Sequence, residues 1–162
     1  MKKLIFSLLA IAGFYVSGNA QATSSANHTV SLALQNQIEV TFTAGAAGPT
    51  MTFSTADNYT NGVTADNAAT LQVRSNKAYN VSVKAAAANF TGPAGNTMPA
   101  SVLQVKESAQ TTYVALSSTD QGLLSNQARG TNSFGVSYKA TPGFAYDGGT
   151  YTLNVVYTAT QQ

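Results

Sequence analysis

Few residues of this chain have side chains that could act as acids, bases, nucleophiles or metal ligands. His28 is the only histidine, and there is no cysteine. A serine–histidine–aspartate triad would need His28 as its general base, yet His28 stands near the N-terminus, where chains fray. A zinc site needs three or four suitable ligands, which one histidine and scattered carboxylates do not supply. The sequence therefore predicts no catalytic residue, no metal site and no cofactor.

Acidic residues are few and lie apart along the chain. They are Glu39, Asp57, Asp66, Glu107, Asp120 and Asp147. Glycoside hydrolysis needs two carboxyl groups that flank one bond, and no tight sequence pair indicates such a site. Asp57-Asn58 and Asp66-Asn67 offer oxygen ligands of the kind calcium prefers. Because such pairs are also ordinary turn residues, we interpret them as turns.

Three tyrosines are the candidate binding residues. Tyr59, Tyr113 and Tyr146 lie in or near predicted loops, where an aromatic face could stack on a sugar ring or on a partner protein. The alternative is that Tyr113 caps a core strand and that the other two pack locally. The sequence thus predicts a glycan or partner surface at these residues, and no enzyme activity.

The N-terminal residues have the pattern of a secretion signal. Met1-Lys2-Lys3 is basic, residues 4–16 are mostly apolar, and Ala20-Gln21-Ala22 fits a small-residue cleavage site. An apolar run of about 13 residues falls short of the ~20 that a membrane-spanning helix needs. We therefore predict a signal peptide at residues 1–22 and one domain at residues 23–162. The protein is expected to be exported, to the cell surface, the medium or otherwise the periplasm, with no membrane attachment after cleavage.

Charge is scarce in the part that remains. The chain has 8 basic and 6 acidic residues, and removal of Lys2 and Lys3 leaves a domain with 8 − 2 = 6 basic residues and a net charge near zero. Charged residues make up 9% of the chain, against roughly 25% in ordinary soluble domains. No basic footprint for nucleic acid remains, and a surface with so little charge is poorly protected against self-association.

The elements that must position any site are β-strands. Apolar and polar residues alternate with period two at residues 30–34, 38–42, 71–73, 79–85, 103–105, 134–140 and 151–159. Such alternation predicts strands with one buried face, and glycine- and proline-containing turns separate them. Seven to nine antiparallel strands predict an all-β, two-sheet sandwich of immunoglobulin-like type, with a closed β-barrel as the alternative.

Three stretches are harder to assign. Residues 44–70 are rich in Ala, Thr, Asn and Gly and are expected to form a long loop or a loose edge hairpin, with Asn61-Gly62 as a hairpin-type turn. Residues 120–129 are expected to form at most a short helix. Residues 28–34 are expected to form an N-terminal strand, which either pairs within its own domain or is donated to a neighbouring chain.

Two segments carry a resemblance to known proteins. Residues 71–85, which lead into Asn89-Phe90-Thr91, and residues 149–160 resemble small uncharacterised secreted β-sandwich proteins of the Bacteroidetes. They are more distantly similar to the Trp-x-Leu cell-surface domains of Gram-positive bacteria and to fimbrial or spore-coat subunits. The Trp-x-Leu resemblance implies peptidoglycan binding, with Tyr157 or Tyr79 in place of the tryptophan that this chain lacks.

Two classes of function remain. The first is a secreted, non-enzymatic structural or adhesive surface protein, such as a fibre or matrix subunit that self-associates through strand edges. The alternative is a module that binds cell-wall glycan or another extracellular polysaccharide. Nucleic acid is not an expected partner of either.

Overall fold

The computed structural model describes residues 21–93 and 97–162. The predicted signal peptide therefore lies almost wholly outside the described residues, and its cleavage stays a prediction. The chain divides into two units, Met1–Ala33 and Leu34–Gln162. In the first unit, the described residues 21–33 form no helix or strand and are exposed.

The second unit is nearly all β-structure. In chain order its elements are β1 (Ile38–Ala44), α1 (Ala56–Asn61), β2 (Val63–Ser75), β3 (Tyr79–Ala85), a 3-10 helix (Ala100–Val102), β4 (Leu103–Glu107), β5 (Val114–Ala115), β6 (Gln121–Gln127), β7 (Gly130–Ala140) and β8 (Val155–Gln161).

These strands form two separate antiparallel sheets. Sheet A has the order β1-β2-β7-β4-β5, and sheet B has the order β6-β3-β8. Neither sheet closes on itself, so the predicted two-sheet sandwich is confirmed and the alternative of a closed barrel is not realised. Each sheet keeps two edge strands, β1 and β5 in sheet A and β6 and β8 in sheet B.

The core lies where alternate residues of both sheets face inward. Leu71 and Val73 of β2, and Val81 and Val83 of β3, are at most 1% exposed, as their period-two spacing predicted. Burial of each such side chain stabilises the fold by about 1.5–3 kcal/mol. The buried Tyr79 hydroxyl accepts a hydrogen bond from Asn132, at 3.0 Å, so this polar group inside the sandwich is satisfied.

The expected strand at residues 28–34 is absent. These residues form no strand, and the alternating Val30, Leu32 and Leu34 are 72%, 82% and 86% exposed. The expectation that this strand pairs within its own domain is therefore wrong. Alternation marks a segment that can present one apolar face, but the segment becomes a strand only when it pairs with an edge, and residues 28–34 pair with none.

Three further expectations are corrected. Residues 44–70 are not one long loop, because they contain α1 and the first half of the inner strand β2. Asn61-Gly62 ends α1 instead of forming a hairpin, since Gly62 has a φ of +81° and donates its main-chain N–H to Asn58 O. Residues 120–129 contain strand β6 and no helix. Register shifts against β3 and a φ of +53° at Asn126 break the alternation that would have marked this strand.

Candidate functional site

The core opens to solvent along the line where edge strand β1 of sheet A meets edge strand β8 of sheet B. We call this line the seam groove; its side chains are Ile38, Val40 and Phe42 of β1, and Val155, Tyr157 and Ala159 of β8. They pack against or beside the buried core, yet all are only partly buried or exposed. The inner strands, by contrast, hold fully buried side chains.

Two contacts fix how β1 and β8 run along the groove. The rings of Phe42 and Tyr157 meet edge to face, with centroids 5.6 Å apart. Further along, the Gln161 side-chain Nε2 donates to the Gln37 carbonyl oxygen at 2.8 Å. The two strands therefore run in opposite directions on either side of the groove, with Gln37 and Gln161 at one end.

The edge of β8 differs from the other three edges of the described sheets. It is seven residues long, it pairs with β3 without a register shift, and it contains no charged residue or proline. By comparison, β5 has only two residues, β6 is bulged, and β1 contains Glu39 and a register shift after Phe42. Short length, bulges and charge are the usual protections of an edge against pairing with another chain. The β8 edge has none of them.

Main-chain groups along this edge alternate between pairing with β3 and facing outward. Gln162 N donates to Ala78 O, and Ala86 N donates to Asn154 O, so the even-numbered residues of β8 face β3 in the antiparallel ladder. The N–H and C=O groups of the odd-numbered residues, from Val155 to Gln161, point to the free side. Within the described residues no backbone partner occupies that side. The edge therefore offers a regular row of donors and acceptors to an added strand.

The hydroxyls of Tyr138 and Tyr157 meet beneath the groove. Their oxygens are 2.7 Å apart. Burial raises the pKa of Tyr157 above its ordinary value, and the neighbouring Tyr138 raises it further. Burial likewise raises the pKa of Tyr138. Both phenols stay neutral at physiological pH, so the floor of the groove carries no charge.

At the end opposite Gln161 the groove widens into a cavity of about 1030 Å³. Its lining includes Phe42, Val155 and Tyr157 of the groove, together with residues 45–53 and 146–154. Among the described lining residues Asp147 is the only charged one. The cavity therefore adjoins the groove and carries little charge, with polar and apolar side chains both in its lining.

Two of the three predicted tyrosines lie at this cavity. Tyr59 and Tyr146 both line it. Tyr59 follows the capped first turn of α1, where Thr55 and Asn58 satisfy each other's main-chain N–H groups. Its ring is stacked on Phe144, 5.2 Å away and inclined by 17°, and also contacts Phe53 at 5.6 Å. Since Phe144 covers one face of the Tyr59 ring, a role in stacking on sugars stays a prediction.

The third tyrosine is elsewhere. Tyr113 precedes β5, with the Lys106 ammonium 5.2 Å from its ring centroid, and it does not line the cavity. Asn58, in the pair considered for calcium, uses its side-chain oxygen to accept from Ser54 N and Thr55 N. No group of three or more metal-ligating side chains occurs in the described parts of the chain.

Asn76 and Gln161 were not singled out from the sequence. The side chains of both residues form hydrogen bonds with main-chain groups at positions 35 to 37, which lie far away along the chain. No local spacing marks such partners, because Asn and Gln are abundant throughout this chain.

Comparisons with known proteins find only distant structural similarity. No family model and no curated protein sequence matches the chain. Among solved structures, a chain from "Structure of a Chaperone-Usher pilus reveals the molecular basis of rod uncoilin" matches with 8% identity and a TM-score of 0.47. The match covers 90% of this chain and 98% of that one. A likeness at this level carries no argument about function. Within residues 21–93 and 97–162, no helix is long and apolar enough to cross a membrane.

Proposed function

We propose that this protein is an exported structural subunit that assembles with copies of itself by strand addition. Residues 28–34, which we call the arm, would add to the free edge of β8 in a second copy. The proposal rests on two features that occur in the same chain. The arm is exposed and alternates between apolar and polar residues, and the β8 edge is unprotected beside a partly open core.

The arm and the edge match in length and pattern. Each has seven residues, which corresponds to a strand of about 23 Å. Val30, Leu32 and Leu34 would form one apolar face, as Val155, Tyr157 and Ala159 do on β8. An added strand that presents this face inward would cover the seam groove while its main chain pairs with the outward groups of β8.

Charge does not oppose the association. Residues 28–34 contain one titratable side chain, His28, and β8 contains no charged side chain. The sequence outside the signal pattern has near-zero net charge, so copies do not repel each other strongly. Export is supported by the signal pattern at residues 1–22, and a role in a surface fibre or matrix would follow from assembly outside the cell.

Disulfide trapping provides a direct test, because the chain has no cysteine of its own. One preparation carries Ser31→Cys at the centre of the arm. The second carries Thr158→Cys at the centre of β8, with Val156→Cys and Thr160→Cys as register variants. Mixing the two under mild oxidation should give a disulfide-linked heterodimer, since only contact between different chains can form it.

A matched control lies on the opposite edge of the same sheet. Ser125→Cys on β6 is exposed like Thr158 but belongs to the bulged edge, and it should trap little dimer. Thr41→Cys on β1 tests addition to the other side of the groove. Equal trapping at positions 125 and 158, or preferential trapping at position 41, would contradict addition at β8. A strictly monomeric protein in light scattering at high concentration would contradict assembly altogether.

A further inference from the structure

Asn76 holds the chain at the point where the arm joins the domain. Its side-chain Nδ2 donates to the carbonyl oxygen of Gln35 at 2.7 Å, and its Oδ1 accepts from the main-chain N–H of Gln37 at 3.0 Å. Gln161 adds a second hold, because its Nε2 donates to Gln37 O at 2.8 Å and to Asn76 Oδ1 at 3.1 Å. We call residues 35–37 the root of the arm.

The position of Asn76 is itself fixed by the turn after β2. The Ser75 hydroxyl, on a residue that is 7% exposed, donates to Lys77 O at 2.8 Å and accepts from Lys77 N at 3.2 Å. Gln161 Nε2 also reaches Ser75 Oγ, at 3.0 Å. Asn76 therefore stands on a braced turn and is not a freely moving surface side chain.

The hydrogen bonds at the root are those expected if its main chain is extended. In an extended chain, the C=O of one residue and the N–H two residues later point to the same side, as they do along a β-ladder. The Asn76 main-chain N–H donates to Gln37 O at 3.2 Å, which continues the β1–β2 ladder by one pair, and the Asn76 side-chain amide satisfies the remaining groups, Gln37 N–H and Gln35 O. The root thus continues the line of β1 and does not reverse.

For the arm to insert into the groove of its own chain, the chain direction would have to reverse at the root. An arm that turned back at residues 35–37 would run beside β1 in the opposite direction, which brings Ser31 next to Thr41. Across the groove, Thr41 faces the region of Thr158, since Phe42 meets Tyr157 and Gln37 meets Gln161. The same arm and groove could therefore pair within one chain if the root were free to turn.

We infer that Asn76, supported by Gln161, is a positioning residue that keeps the arm out of its own groove and so makes a second copy of this chain the partner. This inference rests on the proposed strand addition. The consequence is quantitative, because an arm with a free root would meet its own groove at an effective concentration on the order of millimolar. At about ten micromolar protein, closure within one chain would then outcompete assembly.

The test uses one chain that carries both Ser31→Cys and Thr158→Cys. With Asn76 present, mild oxidation should give disulfide-linked dimers and longer ladders and little closed monomer. Adding Asn76→Ala should raise the ratio of closed monomer to linked chains at least about tenfold, as the effective-concentration argument requires. Asn76→Asp should give an intermediate ratio, because a carboxylate still accepts from Gln37 N–H but cannot donate to Gln35 O.

A matched control distinguishes the loss of the positioning role of Asn76 from a general destabilisation of this end of the domain. Asn80→Ala also removes two side-chain hydrogen bonds, those from Asn126 N and Gln162 Nε2, yet it does not touch the root. This variant should leave the ratio unchanged. Linked chains in the same proportion with and without Asn76 would refute the positioning role alone. Failure of positions 31 and 158 to cross-link in the unaltered background, between chains or within one, would refute the strand addition as well.

Discussion

Replacement of Leu32 by serine tests how much of the association comes from the apolar face of the arm. Leu32 is 82% exposed in the free chain, so insertion into a groove would remove most of its side chain from water. Burial of a leucine side chain contributes about 2 kcal/mol, and 1.4 kcal/mol corresponds to a tenfold change in affinity. The dissociation constant of the assembly should therefore rise about 30-fold.

Sedimentation velocity over a concentration series measures this change. Ser31→Thr is the matched control, because it alters the neighbouring residue on the polar face and should leave the dissociation constant within about threefold, as expected for a surface substitution worth at most ~0.5 kcal/mol. Thermal unfolding of the dilute monomer should be the same in all variants, since Leu32 is exposed there. Unchanged assembly by Leu32→Ser, or an equal loss with Ser31→Thr, would refute the proposed inward face of the arm.

Two further predictions concern the groove and its rim. Because the pKa of Tyr157 is raised in the fold, the unfolded chain loses its phenol proton first, so stability should fall as the pH rises above about 10. Tyr157→Phe should flatten that fall in urea titrations, and an unchanged slope would contradict the assignment. Gly45 has a φ of +69°, and an added Cβ would collide with the Ala68 main chain, so Gly45→Ala should cost more than about 1 kcal/mol. Gly48→Ala is its control in thermal unfolding, with a φ of +74° but open space, and an equal loss in both variants would exclude the collision.

Much of the sandwich could be predicted from alternation alone. The spacing of Val81 and Val83 predicted β3, and the row from Tyr151 to Ala159 predicted most of β8, although the strand begins only at Val155. The same rule failed at β6, where bulges shift the inward positions, and at Val30 to Leu34, where an amphipathic segment pairs with no strand although free edges exist in the described fold. Periodicity reports which face a segment can bury, not which partner buries it.

The candidate site was less predictable for a related reason. Tyr59 and Tyr146 were chosen because loops carry binding residues, and both line the cavity. Tyr113 fits the same rule but lies elsewhere. The root contacts of Asn76 depend on the meeting of chain segments about forty residues apart, which only the tertiary fold determines.

The seam groove also has a consequence for how the stability of this protein depends on its concentration. A lone domain keeps six core-facing side chains incompletely covered, and in the proposed assembly the arm of another copy would bury part of this apolar surface. Folding and association are then linked by mass action, and the melting temperature should rise as the protein is concentrated. In that assembly a copy would be at its least stable before it meets the next one, and each addition would stabilise the chain that receives the arm.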